Sequence, residues 1–170
     1  MSTDVSADGD AVRYLLDRTE IRDVVTRYFV SADRRDFVSF LDCFVPGTTV
    51  DYSDLLPVGP EETVEVVTHL IDRTMAERFG ATQHFMGNHE CTVEGDTARV
   101  ETYCIAMHTH LDPATDDGAH LTSALRYVDR FERGADGRWR IAHRRASRDL
   151  AFLLPGRTAT RYVPDGGAPA

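Results

Sequence analysis

From position 10 to position 33 the apolar residues recur at a helical spacing: Val12, Leu15, Leu16, Ile21, Val24, Val25, Tyr28, Phe29 and Ala32. Asp10 is placed to cap the start of this helix, and residues 1–9, acidic and poor in apolar positions, read as a disordered lead. A second, short helix is predicted over about 36–44, where Phe37, Phe40, Leu41 and Phe44 recur at three- and four-residue steps, before Pro46-Gly47 breaks the chain. Residues 48–53 read as a strand. Gly59-Pro60-Glu61-Glu62 suits a helix start, because proline fits the first turn and acids complement the dipole there. Val64, Val67, Leu70, Ile71 and Met75 give that third helix its stripe, which ends near Phe79-Gly80.

Beyond Gly80 the period changes from helix to strand. Segments 82–93, 97–111, 120–133 and 138–149 read as four antiparallel strands, separated by turn-forming residues at 94–96, 112–119 and 134–137. Three helices followed by long antiparallel strands is an α+β order. Strands of that length must coil, and amphipathic helices can cover the concave face. The expectation is a cone-shaped barrel of a strongly curved, mostly antiparallel sheet covered by three N-terminal helices and enclosing one pocket. It occupies one domain over residues 10–150, with 151–170 a partly disordered extension.

The chain has 170 residues, with 19 Lys plus Arg against 28 Asp plus Glu and a formal net charge of −9. That acidity argues against a nucleic-acid backbone or an anionic membrane as the principal partner. No window approaches the roughly 18 consecutive apolar residues of a membrane span, and no secretory signal is visible at the amino terminus. Cys43, Cys91 and Cys104 form neither a CxxC pair nor an even-numbered framework, so reduced thiols in a cytoplasmic protein are expected. A phosphate-binding glycine loop with lysine, a dinucleotide fingerprint, Gly-x-Ser-x-Gly and His-Glu-x-x-His are all absent. What remains is acid–base chemistry without a cofactor, or simple ligand binding.

Several residues could carry such chemistry. Asp33 ends the apolar face of helix one, where the dipole disfavours a carboxylate; it reads either as a solvated acid past the helix end or as a group with a task. His84 shares a strand face with Thr82, Met86 and Asn88, a mixture that suits a pocket as well as a core. His108 and His110 lie on one face with Thr102, Cys104 and Ala106. Two imidazoles at that spacing lack the third ligand a mononuclear metal site needs, so no metal is expected and either histidine is a candidate pocket group. Tyr28 lies on the buried stripe of helix one and Tyr52 on the first strand, where a buried hydroxyl requires a partner or a cavity. Arg148 is in phase with Ala142 and Ala146 and could cross a pocket wall, whereas Arg138, Arg140, Arg144 and Arg145 read as surface charge.

Arg27-Tyr28-Phe29 with Ala32-Asp33 and Asp36-Phe37, Val50-Asp51-Tyr52, the run Thr82-Gln83-His84-Phe85-Met86-Gly87, the run from Leu125 to Glu132, and Gly137-Arg138-Trp139-Arg140-Ile141 carry a resemblance. Over residues 10–150 the chain resembles the SnoaL-like group of the nuclear transport factor 2-like superfamily, which includes scytalone dehydratase, bile acid 7α-dehydratase and hexachlorocyclohexane dehydrochlorinase. The resemblance implies that Asp33 is the catalytic aspartate and His84 the histidine it orients. Tyr52 falls where scytalone dehydratase has a carbonyl-polarising tyrosine, and His110 falls near its second pocket histidine, with His108 the competing assignment. Its tyrosine just before the aspartate is replaced here by Ala32. Tyr28 and Arg148 instead match bile acid dehydratase, whose additional aspartate meets Ala106 or Met107. The implied function is a cofactor-independent dehydratase acting on a hydrophobic polycyclic or polyketide-like molecule, with Met86, Asn88, His108, His110 and Arg148 contacting it. An isomerase or polyketide cyclase using the same pair, a non-catalytic binding module, and a dioxygenase accessory subunit are the alternatives. A homodimer or homotrimer is also implied.

Overall fold

A computed structural model describes residues 5–110 and 119–155. Its elements are α1 (Val5–Arg34), α2 (Phe37–Leu41), β1 (Thr49–Asp51), β2 (Glu62–Thr63), α3 (Val64–Arg78), β3 (Phe79–Glu94), β4 (Thr97–His110), β5 (Ala119–Arg133) and β6 (Trp139–Pro155). The strands form one sheet in the order β2-β1-β6-β5-β4-β3. Consecutive long strands pair antiparallel, and β1 alone runs parallel to its neighbour β6. Gly95 and Gly137 take positive φ (62° and 77°) in the turns that join β3 to β4 and β5 to β6, a conformation glycine adopts without steric cost.

The sheet is curved but open, and the expected barrel does not close. β1 and β2 have only three and two residues, too short a pair to reach round to β3. Curvature comes from β-bulges, marked by register shifts between Met86 and His89 in β3 and at two places between β5 and β6. Helix α1 packs across β3 and β6 and closes the concave side. Its buried stripe of Ile21, Val24, Val25, Tyr28, Phe29 and Ala32 meets Val100, Cys104, Ala106, Tyr127, Phe131 and Ile141 in one core.

Several sequence boundaries move: α2 ends at Leu41, short of the predicted 44, β1 is confined to Thr49–Asp51, and β3 starts at Phe79. α1 begins at Val5, inside the stretch read as a disordered lead, and Val12, Leu15 and Leu16 are exposed rather than part of the buried stripe. α3 begins at Val64 because Glu62 and Thr63 first pair with β1, and Val64 N–H donates to the Thr48 carbonyl. β6 continues to Pro155, so residues 151–155 complete the sheet against β5. The predicted turn and tail otherwise fall outside the described residues. Among the described residues, no helix is long and apolar enough to cross a membrane.

Candidate active site

The end of α1 sets the site. Arg35 adopts a left-handed φ of 58°, which stops the helix. Its guanidinium donates to the Phe79 and Gly80 carbonyls at 2.8 and 3.1 Å, fastening the helix end to the start of β3. Asp33 is thereby held against β3 and accepts three hydrogen bonds: from Thr82 Oγ1 at 3.0 Å, from His84 N–H at 3.0 Å, and from His84 Nδ1 at 2.7 Å. An ionised carboxylate only accepts, so Nδ1 carries the imidazole proton and Nε2 is the basic nitrogen. The ring lies parallel to Phe29 (centroids 5.8 Å apart, 7° between planes) and perpendicular to His108 (5.5 Å, 88°). Burial to 7% exposure completes its constraint.

His84 opens onto a cavity of about 470 Å³, and Tyr28, Tyr52, Tyr127 and His108 line it as well. The Tyr28 and Tyr52 hydroxyls are 2.6 Å apart. One donates to the other, which leaves the accepting hydroxyl with a proton of its own to offer a ligand. Burial pushes the Tyr28 phenol well above its usual range and raises that of Tyr52, while the positive charge of Arg144 opposes both shifts. Burial likewise keeps the Cys43 and Cys104 thiols protonated, at about 11 and about 12.

Arg144 overturns its assignment as surface charge. Its side chain and that of Asp129 are both fully buried and joined by two parallel bonds of 2.7 Å. The guanidinium carbon lies 4.0 Å from the centre of the Tyr28 ring and 4.7 Å from that of Tyr127. Sequence reasoning missed Tyr127, which lines the cavity, and the Arg144–Asp129 pair, which packs against Tyr28 and Tyr127 without lining it. The available signal was phase: Arg144 alternates with Ala146 and Arg148, the positions already assigned to the pocket face, and Asp129 alternates with Leu125, Tyr127 and Phe131.

The other sequence candidates divide. His108 lines the cavity, since Thr82 pairs with it across β3 and β4. Arg148 lines it too, as an exposed residue at the rim. His110 pairs with Phe79 at the end of β4, but its side chain lies outside the described residues. Met86 packs against the core without lining the cavity, and Asn88 is exposed. The bulge between Met86 and His89 explains Asn88: one extra residue shifts the alternation, so His89 rather than Asn88 turns inward, where its Nδ1 lies 2.9 Å from Thr102 Oγ1. Among the described residues, no group of three His, Cys, Asp or Glu is arranged to hold a metal ion.

An open curved sheet, three helices and a cavity between them define an α+β fold of the nuclear transport factor 2-like class. Residues 13–145 match the SnoaL-like domain, and the chain belongs to that family. It is 29% identical over 134 residues to the uncharacterized protein Rv2910c of Mycobacterium tuberculosis, covering 79% of this chain and 86% of that one. Among solved structures it is similar to a protein assigned as a scytalone dehydratase from Novosphingobium aromaticivorans (TM-score 0.68, 16% identity, 88% and 97% of the two chains). It is also similar to hexachlorocyclohexane dehydrochlorinase LinA-type3 from Novosphingobium barchaimii (TM-score 0.69, 16% identity, 88% and 96%). At such identity these two likenesses establish the fold.

Proposed function

We propose that this protein is a cofactor-independent dehydratase that removes water from a hydrophobic, polycyclic or polyketide-like carbonyl compound. The observation that carries the reading is a buried imidazole whose Nδ1 is bonded to a carboxylate and whose ring lines a cavity floored by two hydroxyls. The catalytic residues in this reading are His84, Asp33, Tyr28 and Tyr52.

His84 Nε2 takes a proton from the carbon α to the substrate carbonyl, or from its vinylogous position. The electron pair of that C–H bond moves toward the carbonyl oxygen, and the Tyr28–Tyr52 pair donates a hydrogen bond to the developing enolate. Asp33 stabilises the imidazolium formed at this stage, in a site where a low local dielectric strengthens the attraction. The enolate then reforms the carbonyl and expels a β-hydroxyl, which leaves as water with the proton from His84. The imidazole is neutral again and no other reagent has been consumed. Names given to structural neighbours, a dehydratase assignment and a dehydrochlorinase, support elimination over the isomerase and cyclase alternatives.

The first half of this sequence can be tested without knowing the substrate. Exchange of α-protons for deuterium in a cyclic ketone, 1-tetralone in D₂O followed by NMR, reports proton abstraction alone. General base catalysis is typically worth about 10²–10⁴-fold, so His84→Ala and Asp33→Asn each lose about 100-fold or more of the enzyme-dependent exchange. Exchange that survives in both variants removes the proposal. Loss of one water from the eventual substrate, read by mass, distinguishes dehydration from isomerisation.

A further inference from the structure

The cavity lining changes along its depth. Its buried end is lined by Tyr28, Tyr52 and Tyr127, each almost wholly inaccessible, and by His84, held by Asp33. Among the described residues, the exposed charged groups that line it are three arginines, Arg73, Arg78 and Arg148, and one acid, Glu77. Arg73 is already committed to Glu77 through an ion pair of 3.2 Å on the face of α3. Arg78 rests its guanidinium over the Phe79 ring, 5.9 Å from its centre, and neither Arg78 nor Arg148 has a carboxylate partner among the described residues.

This arrangement runs against the charge of the chain as a whole, whose formal net value is −9. An acidic protein repels anions in general, so two guanidinium groups that have no carboxylate partner among the described residues and line the cavity from its exposed side act on what enters there. Guanidinium forks match the two oxygens of a carboxylate or phosphoryl group. Both arginines are exposed, which lets each keep its hydration until a ligand arrives and spares the protein the cost of a buried unpaired charge.

We infer that the substrate is amphipathic: an apolar ring system carrying the reacting carbonyl, with an anionic oxygen group at its far end that Arg78 and Arg148 hold at the rim. The inference rests on the proposed function and adds the anion and its two receptors. Held at that end, the ring system is directed carbonyl-first toward the tyrosine pair, so the rim arginines contribute orientation as well as affinity. They are binding residues and take no part in the proton transfers.

The test uses a tetralone carrying a ring carboxylate and its methyl ester, a pair matched in shape and different in charge. Kd values are measured by calorimetry for the full chain and for Arg78→Gln, Arg148→Gln and the double variant. Naphthyl phosphate is added to separate a phosphoryl from a carboxylate source. Wild-type protein is expected to bind the carboxylate about 10-fold or more tightly than the ester, the gain of one well-placed charge-assisted contact. In the double variant that preference falls to about 2-fold or less, with the loss in the carboxylate's Kd rather than the ester's. It also shrinks in about 0.5 M salt, as an exposed electrostatic contact must. Tighter binding of naphthyl phosphate than of the carboxylate assigns the anion as phosphoryl and supports the inference equally. Equal binding of ester and acid by wild type, or a preference that survives the double variant, overturns the inference while leaving the proposed ketone site standing. Failure of all three probes to bind overturns both.

Discussion

The Asp129–Arg144 pair is an ion pair with both side chains fully buried, and breaking it is a severe perturbation. Both side chains are fully inaccessible, and both carboxylate oxygens are used by the guanidinium at 2.7 Å. Asp129→Asn keeps the volume but leaves Arg144 as an uncompensated buried cation, for which the expected cost is about 3–5 kcal/mol. Total stability of a domain is about 5–15 kcal/mol, so this one change consumes a large share. With a urea m-value of about 2 kcal/mol/M, a loss of about 4 kcal/mol lowers the unfolding midpoint by about 2 M. The double variant Asp129→Leu/Arg144→Met removes both charges together. It is expected to be more stable than either single variant, because the desolvation cost disappears along with the attraction. One guanidinium nitrogen, Nη1 of Arg144, is buried without a hydrogen-bond partner, which raises the cost of keeping the pair and favours the double variant further. Urea titrations followed by tryptophan fluorescence decide the matter, since the single tryptophan, Trp139, is buried at the start of β6. A midpoint for Asp129→Asn within about 0.5 M of wild type would refute the reasoning. So would a double variant as damaged as the sum of the two singles.

Two further outcomes follow from the same geometry. Tyr28→Phe and Tyr52→Phe each remove one hydroxyl of the 2.6 Å pair, and each is expected to slow tetralone deuterium exchange by about 10²-fold, the usual scale for one oxyanion donor; unchanged exchange in both would show that neither hydroxyl meets the enolate. His89 is half-buried, with an inaccessible Nε2 that has no hydrogen-bond partner, and desolvation, followed by the charges of Arg22 and Arg18, lowers its pKa below the ordinary value. Asp129 opposes that shift. The unfolded chain therefore takes up a proton near pH 6.5 that the folded chain refuses, and stability falls as pH drops below about 6.5, with a slope of no more than about 1.4 kcal/mol per pH unit from this group. His89→Leu should flatten that part of the profile in urea midpoints between about pH 7.5 and 5.5, and an unchanged slope would exclude His89 as its source.

What the sequence disclosed depended on whether a residue kept its period. Helix α1 from Ile21 onward and the four long strands were legible because a buried face imposes a regular spacing, and only their ends shifted. Bulges were not legible, since one extra residue alters no composition and leaves the local pattern plausible in either phase. The bulge after Met86 therefore misdirected Asn88 and concealed His89. Arg144 was hidden by a different cause: it stands in the run His143-Arg144-Arg145, where charge suggests solvent, and its acid lies on the neighbouring strand. Asp33 and His84 are 51 residues apart, so local spacing could not pair them, and only the family resemblance brought them together.

The position of Asp33 connects these points to the proposed chemistry. A carboxylate in the last turn of a helix faces the negative end of the dipole, a placement that costs roughly 0.3–1 kcal/mol at an exposed site. Three donors from β3 offset that cost, two of them from His84 itself. The acid then fixes the tautomer of the neighbouring ring, with the proton on Nδ1 and Nε2 left to accept. The left-handed Arg35 ends α1, and its bonds to the Phe79 and Gly80 carbonyls fasten that end to the start of β3, beside Asp33. Helix termination, strand register and the tautomer of the imidazole are thus one structural arrangement. A variant that relaxes the helix end, such as Arg35→Ala, is expected to lose exchange activity through His84 even though Arg35 does not line the cavity. Full exchange activity in Arg35→Ala would show that Asp33 keeps its place without it.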